Sequence, residues 1–468
     1  MAFLHRPSCS NHLQPVIRTE RIWRSVNDCD KIKGVTENPK REVRRLRPFI
    51  TTTILFVFLS CISLAQAAPQ RRIVVFDQAI NEPAREALVK AVGGVILRDL
   101  PLISGKAVLL PPQAEAALKA MPGVRRIDPD VTVEALGKPS KPGKPEEPQP
   151  QETLPWGVDR IDAELVWDTY TGEGVKVAVL DTGIDLDHPD LQANIAGGVN
   201  IINPKRPPDD DNGHGTHVAG IIAAVDNEIG VIGVGPQISL YAVKVLNRRG
   251  WGFLSDVIAG IEWCIENGMH VINMSFGTSS DVGSFHDAVR AAYDAGIVQV
   301  AAAGNEYGGS VLYPAAYDEV IAVSATDQSD EIADFSSVGP EVELSAPGVD
   351  IPSTWKGGGY ETASGTSMAA PHVTGAAALV ISSGTTGVDN VRSKLQITAD
   401  DLGDPGRDEL YGYGLVDAKE AATGAETSLA PRLPIALTWG SLSTPYAEFA
   451  ESYWLWGWGY GYSSQASP

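Results

Sequence analysis

Between residues 152 and 422, short apolar runs that read as strands alternate with longer segments of helical period, and this alternation restricts the fold more than any other feature. Val175–Leu180, Ser239–Lys244, His270–Asn273, Val298–Ala302 and Val320–Ser324 are the strand runs. Leu254–Asn267 and Phe285–Ala295 are the clearest helices between them. Strands that are apolar at nearly every position are those buried on both faces. The expected fold class is therefore α/β, a mostly parallel sheet with helices on both faces. Sheets of this kind bind ligands beyond the carboxyl ends of their strands.

Three strings that carry chemistry fall at element ends of that pattern. Asp181-Thr-Gly-Ile-Asp185 follows the strand Val175–Leu180. His214-Gly-Thr-His-Val-Ala-Gly220 opens the helix His214–Ala224. Gly365-Thr-Ser-Met-Ala-Ala-Pro-His372 opens the apolar helix Ser367–Val380, with Gly365 permitting a tight turn. Together they supply a carboxylate, an imidazole and a hydroxyl. A serine hydroxyl is a weak nucleophile at neutral pH and needs an adjacent base. His214 would take its proton and return it to a leaving amine, while Asp181 would hold the ring tautomer and stabilise the imidazolium. His217 reads as a packed neighbour on the same helix, and His372, beyond Pro371, as structural. Met368 beside the hydroxyl is an oxidation liability.

The order Asp…His…Ser differs from the His…Asp…Ser and Ser…Asp…His orders of other serine hydrolases. Through these three strings, the segment from about Leu154 to about Ala421 resembles the subtilisin-like serine proteases, the subtilases. The resemblance implies a serine endopeptidase acting through an acyl-enzyme on polypeptide substrates, with no cofactor for catalysis. It implies that Asn305, in Ala301-Ala-Ala-Gly-Asn-Glu306, and the Ser367 N–H donate to the developing oxyanion. Gly250-Trp251-Gly252 and Met274-Ser275-Phe276-Gly277 would flank an extended substrate as its two neighbouring strands. Backbone pairing is indifferent to side chains, so broad specificity is expected. The primary pocket would be lined by Ser275, Phe276, Gly277, Ala302, Ala303, Gly304 and the stretch near Leu312. No acidic residue stands in those segments, which implies apolar or aromatic preference. The resemblance also implies structural calcium ions. The loop Val225–Val231 would give the carbonyls of Val225, Ile229 and Val231 and the side chain of Asn227, joined by Asp190. Glu152 stands where relatives place a side-chain amide oxygen, so an oxygen is kept and a charge added.

The net charge is −21. Residues 1–50 hold 11 Lys/Arg against 5 Asp/Glu, a charge of +6, which leaves −27 for the rest. So acidic a body would repel phosphates, which argues against nucleic acid as a partner. Cys9, Cys29 and Cys61 precede the body, so Cys264 is alone there and no intramolecular disulfide can form within it. It lies in the helical run Val257–Ile265 and reads as a core thiol.

The remaining segments suggest a precursor. Residues 1–68 read as an export signal with a long N-terminal extension. Arg41, Arg44, Arg45 and Arg47 precede the apolar run Ile54–Leu59, and Ala65-Gln66-Ala67 supplies a small-residue cleavage pattern. A start at Val35 or Val43 would give a signal of ordinary length, and Cys61 in Phe58-Leu-Ser-Cys61 offers lipid attachment as an alternative. The apolar run is too short to span a membrane. Residues 69–136 follow strand-helix-strand-strand-helix-strand, a ferredoxin-like order, and resemble the inhibitory propeptide domain of subtilases. The Pro/Lys-rich linker 137–151 cannot pack a core and is easily cut. Cleavage just after Leu136 and cleavage near Gln151 both remain open. Residues 152–424 form the catalytic domain. In the tail, 425–468, Trp454, Trp456, Trp458, Tyr460 and Tyr462 alternate mostly with Gly, as an edge strand, a binding face or an unstructured end would. The whole reads as a secreted monomer, extracellular or periplasmic, held by its own propeptide. A surface adhesin on a degenerate protease fold would lack a reactive Ser367. A processing protease would cut only paired basic sites.

Overall fold

The structure, a computed structural model, describes residues 68–139 and 149–424. The export signal and its extension, the linker core 140–148 and the aromatic tail lie outside the described residues. The chain divides into two units, Met1–Ala68 and Pro69–Pro468, and the fold below is that of the second.

The first part of this unit runs β1 (Gln70–Phe76), α1 (Glu82–Ala91), β2 (Val95–Leu100), β3 (Gly105–Leu110), α2 (Ala114–Lys119) and β4 (Val124–Pro129). Its four strands pair antiparallel in the order β2-β3-β1-β4. Because side chains alternate along a strand, this sheet has two distinct faces. Val74, Phe76, Val108 and Leu110 pack with Val89 and Leu118 of the two helices. Ile73, Val75 and Ala107 point the other way, and with Leu100 and Ile103 they enter the core of the following domain. The small domain is thus docked by apolar burial, at about 1.5–3 kcal/mol for each large side chain fully covered.

Two short strands leave it: β5 (Thr132–Ala135) and β6 (Lys138–Pro139). Strand β5 joins a separate three-stranded sheet, because its partners lie in the larger domain.

That domain opens with α3 (Trp156–Arg160), β7 (Lys176–Asp181), β8 (Ile195–Asn200), α4 (His214–Ala223) and β9 (Ser239–Lys244). It continues through β10 (Trp251–Phe253), α5 (Leu254–Glu266), β11 (Val271–Met274), β12 (Phe276–Gly277), α6 (Gly283–Asp294), β13 (Val298–Ala302) and β14 (Ile321–Thr326). It closes with β15 (Val342–Pro347), the hairpin β16 (Ile351–Trp355) and β17 (Gly359–Ser364), α7 (Thr366–Ser382), α8 (Val388–Ile397) and α9 (Ala418–Thr423). Seven strands form one parallel sheet in the order β15-β14-β13-β11-β7-β9-β8. Val177 and Val179 of β7 face the core made with α4, α7 and α8. Ala178 and Leu180 face the core made with α5 and α6. This two-sided burial is why the strands are apolar throughout. From β7 the chain runs first to one side and then to the other, so the strand order reverses there. Asp181 ends β7, where the crevice of such a sheet forms. Cys264 is fully buried in the α5–α6 core, and burial pushes its thiol pKa well up, as expected of an inert packing residue.

Candidate active site

Asp181, at the end of β7, is fully buried, and His214, the first residue of α4, is nearly so. His214 Nδ1 lies 2.9 Å from both Asp181 carboxylate oxygens. Asp181 Oδ1 also accepts the Thr182 N–H at 2.6 Å. Burial by itself would lower the His214 pKa. The Asp181 charge and hydrogen bond, with Asp210 beyond, outweigh it and hold the pKa above the ordinary value. Asp210 was not read from the sequence. Its Oδ1 accepts the Gly213 N–H at 3.0 Å and its Oδ2 the Thr216 N–H at 3.0 Å, so it fixes the start of α4 and with it the ring. The signal was present: an aspartate just ahead of a helix start is a cap-type residue.

The other two histidines behave as packing groups. His217 Nε2 is 3.1 Å from the carbonyls of Ile351 and Glu361, and burial first, then the neighbouring His214, drops its pKa to about 3. His372 Nδ1 meets the Met368 carbonyl at 2.8 Å, and burial drops its pKa to about 4.

Ser367 stands in the first turn of α7 and is fully buried. Its Oγ donates to the Ser275 carbonyl at 2.8 Å, not to the imidazole, and His214 Nε2 has no hydrogen-bond partner. The structure therefore brings the carboxylate and imidazole into contact and turns the hydroxyl onto β11–β12. The chain itself covers the site here. Gly137 packs against the ring: a Cβ there would stand 3.1 Å from His214 Nε2.

The residue before it, Leu136, threads the crevice. Its carbonyl oxygen accepts from Asn305 Nδ2 at 2.6 Å. The Asn305 amide cannot turn round, because its Oδ1 accepts from both Thr366 N and Thr366 Oγ1 at 3.0 Å. Leu136 N donates to the Ser275 carbonyl at 3.1 Å, and Ala135 N to the Gly250 carbonyl at 2.9 Å. Strand β5 runs antiparallel to both neighbours, with Gly252 opposite Val133, Trp251 opposite Glu134 and Phe276 opposite Ala135. On the far side of Gly137, β6 pairs with Ala363 and Ser364 of β17. Gly365 lies beneath this path with φ +153°, and a Cβ there would meet the Leu136 oxygen at 2.5 Å, so no other residue fits.

Of the expected pocket residues, Ser275 bonds the Leu136 backbone, and Gly277 lies beside the Leu136 side chain with Leu312 next to it. A Cβ at Gly277 would come within 3.1 Å of Leu136 Cδ1 and 3.0 Å of Leu312. Leu312 also crowds Gly304, 2.9 Å from where a Cβ would stand, and its N–H donates to Ala303 O at 2.8 Å. Ser275, Phe276, Ala302 and Ala303 are all buried around this group.

The other expected cluster also assembles. Asn227 Nδ2 donates to Asp190 Oδ1 at 3.0 Å, and Asn227 N to Glu152 Oε1 at 2.8 Å. Val231 N donates to Asp190 Oδ2 at 3.1 Å, and Val225 N to the Asp190 carbonyl at 3.0 Å. Ile229 N donates to Asn227 Oδ1 at 3.1 Å, and Ile229 pairs across to Gln151. Asp190 is fully buried, and burial above all, with the Glu152 charge, raises its carboxyl pKa to about 7. A buried carboxyl beside a second acid, with no cationic side chain bonded to it among the described residues, suits a hard cation. Among the described residues no group of three or more His, Cys, Asp or Glu side chains converges on one point.

Residues 172–414 match the family model described as the subtilase family. The chain is 51% identical over 272 residues to a thermostable alkaline protease of Halalkalibacterium halodurans, covering 58% of this chain and 74% of the relative. It is 48% identical over 274 residues to subtilisin Savinase of Lederbergia lenta, covering 58% of this chain and 99% of the relative. It is 39% identical over 381 residues to subtilisin amylosacchariticus of Bacillus subtilis subsp. amylosacchariticus, covering 79% of this chain and 95% of the relative. With this fold, the matches define the protein as a serine endopeptidase, a hydrolase of peptide bonds. The chain belongs to the subtilase family. No helix among the described residues is long and apolar enough to cross a membrane.

Proposed function

We propose that the chain is a secreted endopeptidase made as a self-inhibited precursor, with Asp181, His214 and Ser367 as its acyl-transfer triad and Asn305 as oxyanion donor. The observation that carries this reading is the path of Leu136–Gly137: the Leu136 carbonyl on Asn305, Gly137 against His214, and β5 flanked by β10 and β12. A strand held between two enzyme strands is the way an extended peptide is bound. The chain's own segment thus occupies the place of a substrate.

In the first reaction, Ser367 Oγ turns from Ser275 to His214 Nε2, gives up its proton and attacks the Leu136 carbonyl carbon. The oxygen takes the negative charge within reach of Asn305. The bond to the Gly137 nitrogen breaks as His214 returns the proton to that nitrogen. Water, activated by the same ring, then releases the Leu136 carboxylate. The cut falls after Leu136 and not near Gln151, whose backbone is paired with Ile229 beside the Asp190 cluster. On this reading 1–68 is the export signal with its extension, 69–136 the inhibitory propeptide and 137–151 the linker. Residues 152–424 are the catalytic domain and 425–468 the tail.

Specificity follows from the same segment. Leu136 beside Gly277 and Leu312 favours an apolar or aromatic residue before the cut, and Val133 is 1% exposed, which favours an apolar residue there too. Backbone pairing elsewhere makes the enzyme broad. Glu152, Asp190, Asn227 and the carbonyls of Val225, Ile229 and Val231 are the residues that would hold structural calcium. The ion would tie residues 152, 190 and 225–231 together and take no part in the chemistry. The mature enzyme acts as a monomer.

N-terminal sequencing tests the reading. The purified chain should release a fragment beginning at Gly137, and Ser367→Ala should stay intact. Equal processing of Ser367→Ala, or a first cut elsewhere, would overturn it.

A further inference from the structure

One side of the bound segment is built unlike the rest. Glu134, the third residue before the proposed cut, lies directly opposite Trp251 on β10 and opposite Gly277 on β12. Residues facing each other across an antiparallel pair project to the same face, with Cβ atoms about 5 Å apart. Gly277 has no side chain, so the flanking side chain at this position is Trp251. It is 49% exposed, so part of the indole is open to a neighbouring side chain.

The turn ahead of Trp251 carries Arg248 and Arg249, both exposed. It is pinned in place: Gly250 N donates to Asn247 O and Asn247 N to Trp251 O, each at 2.8 Å. Asn212 Nδ2 holds the Arg248 carbonyl at 3.1 Å, and Arg249 N donates to Asn247 Oδ1 at 2.8 Å. Among the described residues neither guanidinium forms a salt bridge, although the body around them is strongly acidic. Two unpaired arginines thus stand next to the strand that reads the third residue.

We propose that Trp251, Arg248 and Arg249 form a subsite that selects an acidic side chain at the third position before the cut. The stem of that side chain lies along the indole and its carboxylate faces the arginines. In the precursor Glu134 occupies this position without a salt bridge to either guanidinium, so the preference acts through the longer-range attraction of the two charges. The inference rests on the binding path proposed above and adds a charge preference to an otherwise permissive cleft.

The test uses the mature enzyme and three anilide peptides, Val-Glu-Ala-Leu, Val-Ala-Ala-Leu and Val-Lys-Ala-Leu. Two like charges at roughly 8 Å in water-like surroundings change a rate ratio by about fivefold. At low salt, kcat/KM should favour Glu over Ala by about fivefold, and over Lys by more. In about 0.5 M salt the preference should largely vanish, because the screening length falls to about 4 Å. Arg248→Glu/Arg249→Glu should reverse the Glu-to-Lys order, each ratio being taken within one enzyme so that any general loss of activity cancels. A Glu-to-Lys ratio at or below one in the parent enzyme, or one insensitive to salt, would overturn the subsite. Should the double variant fail to fold, the salt series on the parent enzyme decides alone. Absence of cleavage of all three peptides would instead refute the endopeptidase reading beneath it.

Discussion

Asp128 and Asp130 of the small domain should contribute more to its docking than any other pair of residues there. Helices α5 and α6 begin after Phe253 and Val282, neither of which offers a side-chain cap. Asp130 accepts Ser255 N and Ser255 Oγ, both at 2.9 Å. Asp128 accepts Ser284 N at 3.0 Å and also Ser284 Oγ. Each aspartate is 7% exposed and each serine 0%. The docked domain therefore supplies the missing caps. Losing a cap costs about 1 kcal/mol, and leaving buried donors unsatisfied about 1–3 kcal/mol, with overlap between the two. The lost charge at a helix N-terminus adds about 0.5 kcal/mol. About 2 kcal/mol per site follows, and about 4 kcal/mol for Asp128→Ala/Asp130→Ala, since the sites lie on different helices and should nearly add. In the uncut Ser367→Ala chain, opening of the small domain can be followed by hydrogen exchange at the Ser255 and Ser284 amides. A double variant should open about 1,000-fold more often, because each 1.4 kcal/mol is tenfold. Asp128→Asn/Asp130→Asn keeps an acceptor oxygen at each site and should lose less. Opening of the double Ala variant within threefold of its parent would refute the capping argument.

Asn305→Ala should lower kcat by roughly 100- to 1,000-fold, as loss of such a donor does in subtilisin, with KM little changed; a loss under tenfold in peptide hydrolysis would contradict its role. The raised His214 pKa means that the ring stays protonated, and so unable to accept the Ser367 proton, to a higher pH than an ordinary histidine. The acid limb of kcat/KM should thus lie above about 6.5, and Asp181→Asn, by removing the charge, should shift any residual limb downward. Chelation should lower the melting temperature and added calcium restore it, with about 2.7 kcal/mol of stabilisation at 100 times the dissociation constant. Asp190→Asn should abolish most of that response, and a melting curve indifferent to calcium in the parent would exclude the site.

Much of the larger domain was legible because its signals are local. Strands β7, β9 and β13 lie within a residue of their apolar runs, since continuous burial leaves few polar choices. By contrast β8, Ile195–Asn200, carries two glycines and alternates in exposure, and β15 includes Glu343 and Ser345, both buried. Neither reads as a core strand, because the polar groups are accommodated by partners far along the chain, such as Arg392 for Glu343. Helices α8 and α9 and the β16–β17 hairpin escaped for the same reason: weak local period, strong tertiary contact.

The candidate site divides in the same way. Asp181, His214 and Ser367 could be named from the strings alone, because few residue types supply that chemistry at a strand end or a helix start. The contact of Asp181 with His214 depends on the strand order, which no window of neighbouring residues encodes. The Leu136–Asn305 bond spans 169 residues, and the Ser367 hydroxyl bonds a carbonyl 92 residues away. Composition and motif therefore determined which groups are proposed for this protein's chemistry. Only tertiary packing decided that the Leu136–Gly137 segment lies against Asn305 and His214, because that placement comes from a sheet closing around a strand delivered by another domain.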